Sequence, residues 1–189
     1  MEIRRLDNMG ELKGFKCGIQ VMDDFIHSRL AESVRNHYCT PYALYDDNSM
    51  IAFFALSFDS LELDSDDKEE LQSGISSTGR PDISDEYEDT FFAKPRYPSM
   101  DIAYLAVRQD CRGKGIGSSI VDYIIELARS QKLAGCQFLT VEALAMADYS
   151  AVRFYYSCGF APSEPRKPYK DTLRMFYTLY PADAEYSDK

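Results

Sequence analysis

From Met100 to Val107 the chain is apolar enough for a buried strand, and from Ile116 apolar residues recur at Ile120, Ile124, Leu127 and Ala128, one face of a helix. Between them lies Arg112-Gly113-Lys114-Gly115-Ile116-Gly117-Ser118. A strand feeding a helix through a glycine-rich turn commits this part of the chain to a layered α/β arrangement, because each element must bury its apolar side on the other. The three alternating glycines let the backbone approach an anion with no side chain in the way. The helix start aims amide N–H groups and a positive dipole end at the same place. Arg112 and Lys114 add fixed positive charge. The segment reads as a phosphate cradle, against the plainer reading of a glycine-rich turn with no ligand.

Two nucleotide motifs are excluded by spacing. In a nucleoside-triphosphate loop the first glycine would fall at Arg108, and a Ser or Thr would stand where Gly115 is. A dinucleotide fingerprint started at Gly113 would need its third glycine at Ser118; started at Gly115, at Ile120. The pattern Arg/Gln-x-x-Gly-x-Gly is met by Arg112, Gly115 and Gly117 and resembles the coenzyme A loop of the GNAT superfamily of N-acetyltransferases. A second stretch, Ala151 to Phe160, matches that family's A-x-x-F-Y-x-x-x-G-F at Ala151, Phe154, Tyr155, Gly159 and Phe160. It follows the glycine loop by about forty residues, room for a helix, a strand and a second helix. The resemblance covers about residues 100 to 180 well and the N-terminal part more loosely.

The net charge is −10, and it is localised. Between Asp59 and Asp89 stand 12 acids against Lys68 and Arg80, while Lys94 to Ala182 carries 12 bases against 8 acids. The acidic stretch is either a solvated excursion or a guard over a substrate cleft that favours a cationic substrate. The cysteines are scattered with no C-x-x-C pair, and His27 and His37 stand apart from them, so no metal site is expected. There is no signal-peptide pattern and no run of about 18 or more apolar residues. A soluble, cytoplasmic protein with no membrane partner is the expectation.

Along the chain, Glu2 to Asp7 reads as a first strand and Ile19 to Arg35 as one amphipathic helix, with Met22, Phe25, Ile26, Leu30 and Val34 on its apolar face. Pro41–Tyr45 and Met50–Phe58 are strand-like and joined by the turn residues Asp46 to Ser49. Residues 60–98 read as an acidic insertion with one or two short helices. Phe138–Glu142 is a strand, Asp148 an N-cap for a helix through Ser157, and Thr172–Tyr180 a last strand. The expected fold class is α/β (α+β-like). Residues 1–182 form one acetyltransferase domain, followed by a polar tail at 183–189. The resemblance implies the GNAT fold: a mixed central sheet of about six to seven strands flanked by helices, with two parallel strands splayed at the coenzyme site.

The resemblance also implies the chemistry. Acetyl-CoA would be the co-substrate, its pyrophosphate on the amides of Arg112, Gly113, Lys114, Gly115, Ile116, Gly117 and Ser118. Its pantetheine arm would lie along the backbone of Leu105, Ala106 and Val107. Tyr155 matches the family tyrosine near the coenzyme sulfur and would donate to the departing thiolate. Glu142, at a strand end, is the candidate base. Asp148 stands where many members carry Asn at the coenzyme.

The acceptor divides three ways. The first reading is direct transfer, in a ternary complex, to a primary amine of a small molecule or peptide. A second starts from Phe15-Lys16-Cys17-Gly18 and Met22-Asp23-Asp24-Phe25-Ile26, which resemble F-x-C-G-x-x-x-L-D-x-F-L of bacterial acetyltransferase toxins, with Met22 for the usual Leu. Those toxins, of toxin–antitoxin pairs, acetylate aminoacyl-tRNA, and Arg153, Arg166, Lys167, Lys170 and Arg174 are the candidate basic face. The third is an acetyl-CoA-binding regulator without turnover. Whether an antitoxin partner exists is open, and so is a homodimer.

Overall fold

Asp47 and Asn48 adopt φ of 45° and 65°. Consecutive left-handed residues make the tight turn whose twist matches that of a hairpin, and short polar side chains tolerate it. The turn joins β2 (Thr40–Asp46) to β3 (Ser49–Leu61) in antiparallel register, Asp46 opposite Ser49. This is the hairpin expected from the sequence. The computed structural model describes residues 1–163 and 170–182, so Arg166, Lys167 and the tail 183–189 lie outside the described residues.

β1 (Glu2–Arg5) pairs antiparallel with β2. The remaining strands are β4 (Tyr97–Val107), β5 (Phe138–Leu144), β6 (Ala161–Pro162) and β7 (Thr172–Thr178). Together they form a mixed seven-stranded sheet in the order β1-β2-β3-β4-β5-β7-β6. β4 and β5 run parallel with Ser99 opposite Phe138 and Asp101 opposite Thr140. β7 is antiparallel to both β5 and β6. The mixed α/β architecture is as expected; β6, only two residues long, carries no period for a sequence to reveal.

The chain groups into two compact units. The first is Met1–Ser57 with Ile102–Ile124, the second Phe58–Asp101 with Ile125–Lys189. The first unit's core gathers Leu6, Leu12, Phe15, Ile26, Leu30 and Phe53 around Ala43, Ala55 and Ala106. Here the expected single helix from Ile19 to Arg35 is two: α1 (Gln20–Ser28) and α2 (Leu30–Arg35), broken at Arg29. The Ser28 hydroxyl donates to the Asp24 carbonyl one turn back, a local competitor for helix hydrogen bonds that bends the chain.

The second unit corrects the picture of a solvated excursion. The acidic segment forms α3 (Ser65–Ser73) and α4 (Asp85–Phe92). Asp64 caps α3 by accepting the Asp67 N–H at 2.9 Å, and Gly74 closes it in the left-handed conformation. Leu61, Leu71, Phe91 and Tyr97 are buried with Phe138 and Phe176 in one apolar cluster. Most of the acids on these helices are exposed, Asp67 and Glu88 being half-buried, while Leu71 and Phe91 enter the core. The helix α5 (Ile116–Ser130) buries Ile120, Val121, Ile124, Ile125 and Ala128, the face read from its sequence. The last helix, α6, spans Val152–Ser157. Asp148 does not cap it: the cap residue is Ala151, preceded by an isolated bridge between Ala145 and Ser150 that holds the chain out of helix. Among the described residues no helix is long and apolar enough to cross a membrane.

Phe91 is 3% exposed. Phe91→Ala should therefore cost about 3–5 kcal/mol in denaturant unfolding, the range for a core phenylalanine. A loss near that of a surface substitution would show that the acidic segment is not part of the folded core.

Candidate functional site

In the first unit β4 runs into Arg108, and this arginine is structural. Its N–H donates to the Ile51 carbonyl at 2.8 Å. Its guanidinium bonds the Ser49 hydroxyl at 2.7 Å, the Met50 carbonyl at 2.9 Å and both carboxylate oxygens of Asp110. A short helical turn, Gln109–Cys111, then leads into the glycine loop. Gly113 and Gly115 hold φ of 73° and 77°, a conformation that favours glycine over other residues. A Cβ built on either would meet nothing within 4 Å. The glycines are thus needed for backbone shape, and the space over the loop is open.

The ladder of α5 begins with Ser119 N–H donating to the Gly115 carbonyl at 3.0 Å. Amides at Ile116 and Gly117 precede that ladder, where a helix receives an anion. Arg112 and Lys114 are exposed beside them. Upstream on β4, Ala106 is buried in the core while Leu105 and Val107 are half-buried on the alternate positions. The residues present fit a pyrophosphate.

In the second unit the ionisable groups form one network. Arg174 on β7 pairs with Asp59 of β3, lies 3.9 Å from Asp101 of β4, and lies 3.7 Å from Glu142 of β5. Thr140 reaches Asp59 at 2.7 Å and Asp101 at 3.1 Å. A hydroxyl has one proton, so it serves one carboxylate at a time. Burial pushes the Asp101 carboxyl up to about 6, and the neighbouring Asp59 adds to the rise against the pull of Arg174. Burial pushes Asp59 the same way, but Thr140 and Arg174 outweigh it and the net shift is downward. Asp101 was missed in the sequence reading. Its signal was there: an aspartate inside an apolar strand run.

Glu142 is exposed and engaged, accepting from Thr172 at 2.8 Å and lying 3.6 Å from the Lys170 ammonium. With Arg174 and Ser163 it lines a cavity of about 520 Å³ whose other walls are Ser60, Glu62, Leu63 and Asp64. Tyr155 is buried, its ring edge-on to Phe154 and Phe160 at 5.0 and 5.3 Å. Burial raises its pKa well above that of an ordinary phenol, and the charge of Asp101 raises it further, so Tyr155 keeps its proton. Asp148 sits exposed in a bend. The structure thus groups Arg112–Ser118 with the end of β4 in one unit, and Tyr155, Asp101 and Glu142 in the other.

The family model described as Acetyltransferase (GNAT) family matches residues 16–160. A curated relative, tRNA(Met) cytidine acetyltransferase TmcA of Saccharolobus islandicus (strain Y.G.57.14 / Yellowstone #1), is 38% identical over 61 residues, which are 32% of this chain and 7% of that protein. The chain therefore spans only a small part of that relative. Among solved structures, a tyrosine-to-phenylalanine mutant of KacT matches with a TM-score of 0.64 at 20% identity, covering 94% of each chain. AtaTR bound with AcCoA matches with a TM-score of 0.65 at 21% identity, covering 94% of this chain and 93% of that one. These two likenesses concern the fold.

The upward shift of Asp101 has a sign that can be checked. Its folded pKa exceeds the roughly 3.9 of an unfolded aspartate, so its stabilising contribution is fully present at low pH and is lost as pH rises through about 6. Relative to Asp101→Asn, wild-type stability should fall by up to about 3 kcal/mol between about pH 4 and pH 6.5 and then level off. Parallel stability curves for the two proteins would remove Asp101 as a proton-holding group.

Proposed function

The chain belongs to the GNAT acetyltransferase family, and from that premise we propose that it transfers the acetyl group of acetyl-CoA to a primary amine by direct attack in a ternary complex. The observation that carries the reading is the open glycine loop Arg112–Ser118 at the start of α5, whose shape and charge suit a pyrophosphate. The match of one family model across 16–160 supports reading residues 1–182 as a single catalytic domain. Leu105, Ala106 and Val107 offer strand backbone to the pantetheine amides, and Asp148 is a further contact to the coenzyme.

In the reaction the neutral amine attacks the thioester carbon. A C–N bond forms, the C–S bond breaks, the amine gives up a proton and the sulfur gains one. Positioning of the two reactants supplies much of the rate. Tyr155, protonated by virtue of its burial, hydrogen-bonds the departing thiolate. For the amine's proton, Glu142 is one acceptor. Glu142 lines the cavity, and Asp101, near pKa 6 and still ionised at neutral pH, is joined to it through Arg174 as a second proton-holding group.

The acid-lined cavity of the second unit supports a cationic amine of a small molecule or peptide as acceptor. The reading as a toxin acting on aminoacyl-tRNA is favoured by the motif at Phe15–Ile26 and by the likeness to KacT and to AtaT, a toxin also solved with its antitoxin AtaR. It would give this chain an antitoxin partner. Of its basic candidates, Arg174 is spent on carboxylates and Lys170 lies beside Glu142, which weighs against a phosphate role for these two. The amine reading therefore comes first. Acetyl-CoA binding without turnover of any amine would point instead to a regulatory module.

Tyr155→Phe should lower turnover by about a hundredfold or more with acetyl-CoA affinity nearly unchanged, read as thiol release. Equal rates would sink the donor assignment. Gly115→Glu, which puts a side chain and an acid into the loop, should abolish acetyl-CoA binding in calorimetry, and retained affinity would overturn the cradle.

A further inference from the structure

We propose that Asp23 is a positioning residue for the coenzyme loop: its carboxylate fixes the Cys17–Gly18 turn, and that turn holds Arg112. The inference rests on the reading of Arg112–Ser118 as the acetyl-CoA site. It gives a physical task to the Phe15–Asp23 motif, which the proposed chemistry leaves unused.

The geometry is a two-step brace. One carboxylate oxygen of Asp23 accepts the Cys17 N–H at 2.8 Å and the other accepts the Gly18 N–H at 3.0 Å. These backbone donors outweigh the upward push of burial and hold the carboxyl below its ordinary range, so the brace is ionised at working pH. The turn it fixes meets the loop's approach segment at three points. The Lys16 carbonyl accepts the Gln109 N–H at 3.0 Å. The Cys17 carbonyl accepts from the Arg112 guanidinium at 3.3 Å. Gly18, at φ 80°, lies so close to Gln109 that a Cβ there would come within 2.8 Å of its side chain.

The rest of the motif suits a brace and not a reaction centre. Phe15 is buried edge-on to Phe53, with ring centroids 5.6 Å apart. Cys17 is buried and its thiol is pushed up to about 11 by desolvation, far from a reactive thiolate. Asp23 stands on the first turn of α1, where the helix's positive end favours a carboxylate. The motif thus ties α1 to the segment that leads into the glycine loop. A loop held in its bound shape before the ligand arrives binds more tightly than one that must be ordered.

The test is a double-mutant cycle read by acetyl-CoA calorimetry, with Asp23→Ala, Arg112→Ala and the double variant. Asp23→Ala should weaken acetyl-CoA binding by about tenfold, the scale of one charge-assisted contact. The KM for acetyl-CoA should rise with it, while kcat at saturating acetyl-CoA stays at the wild-type value. The double variant should bind less weakly than the two single losses added together, because part of the effect of Asp23 runs through Arg112. Asp23→Asn keeps an acceptor oxygen and should recover part of the affinity, which separates lost positioning from lost folding. Additive losses, or an Asp23→Ala protein that is less stable yet binds acetyl-CoA like wild type, would overturn the proposal. If the wild type itself failed to bind acetyl-CoA, the coenzyme reading of the loop would fall instead.

Discussion

The Arg174 guanidinium is the charge on which the second unit's chemistry depends. Asp59, Asp101 and Glu142 come from three consecutive strands of the sheet, and the fourth, β7, brings the arginine. Asp59 and Asp101, close together and half-buried, would repel one another and exchange charge for protons. One planar cation among them holds the Asp59 carboxyl below its ordinary range and leaves Asp101 near 6. The sheet register makes this possible: Asp101 faces Thr140, and Glu142 faces Arg174, so all point to one side. Replacing the arginine would leave buried acids uncompensated, which costs more than losing a surface ion pair.

The first unit solves a different problem with the same means. A glycine loop that must present bare amides cannot fix itself with side chains of its own, because side chains would cover what it offers. Its order has to come from neighbours. Arg108 does this on one side through Ser49, Met50 and Asp110, and the Lys16–Gly18 turn does it on the other. Rigid support around an open loop is how a flexible sequence becomes a defined anion site.

What the sequence made legible is what is decided locally. The strand–loop–helix from Met100 to Ala128, the Asp47-Asn48 hairpin and the Ala151–Phe160 motif each declare themselves within a few residues, and the structure carries all three elements. The helix break at Arg29 was hidden because it depends on a serine choosing a carbonyl, which leaves the apolar period intact. The core role of the acidic segment was hidden for another reason. Leu61, Leu71, Phe91 and Tyr97 are separated by long polar runs and show no period until the chain folds. The carboxylate network was the least legible, since Thr140 and Asp59 are 81 residues apart and Arg174 and Asp59 are 115 apart. No local pattern reports a pairing of that range. Asp148 misled because a good capping residue caps only if the helix starts beside it.

The shift on Tyr155 also limits what it does in the proposed reaction. A thiol releases its proton near pH 8.5, below even an ordinary phenol at about 10. Burial moves Tyr155 further in that direction. Full proton transfer from this phenol to a thiolate would then run uphill. In the proposed reaction it hydrogen-bonds the charge as it forms on sulfur, the kind of stabilisation that is strongest where water is excluded. The reaction takes one proton from the attacking amine and puts one on the thiol. In the proposed reaction a carboxyl near 6 is ionised at neutral pH, so it can receive a proton and release it again. The two shifts are linked by one cause, since the burial that raises Asp101 also raises Tyr155 and each carboxylate charge on Asp101 raises it more. Protonation of Asp101 therefore relaxes Tyr155 toward a better donor.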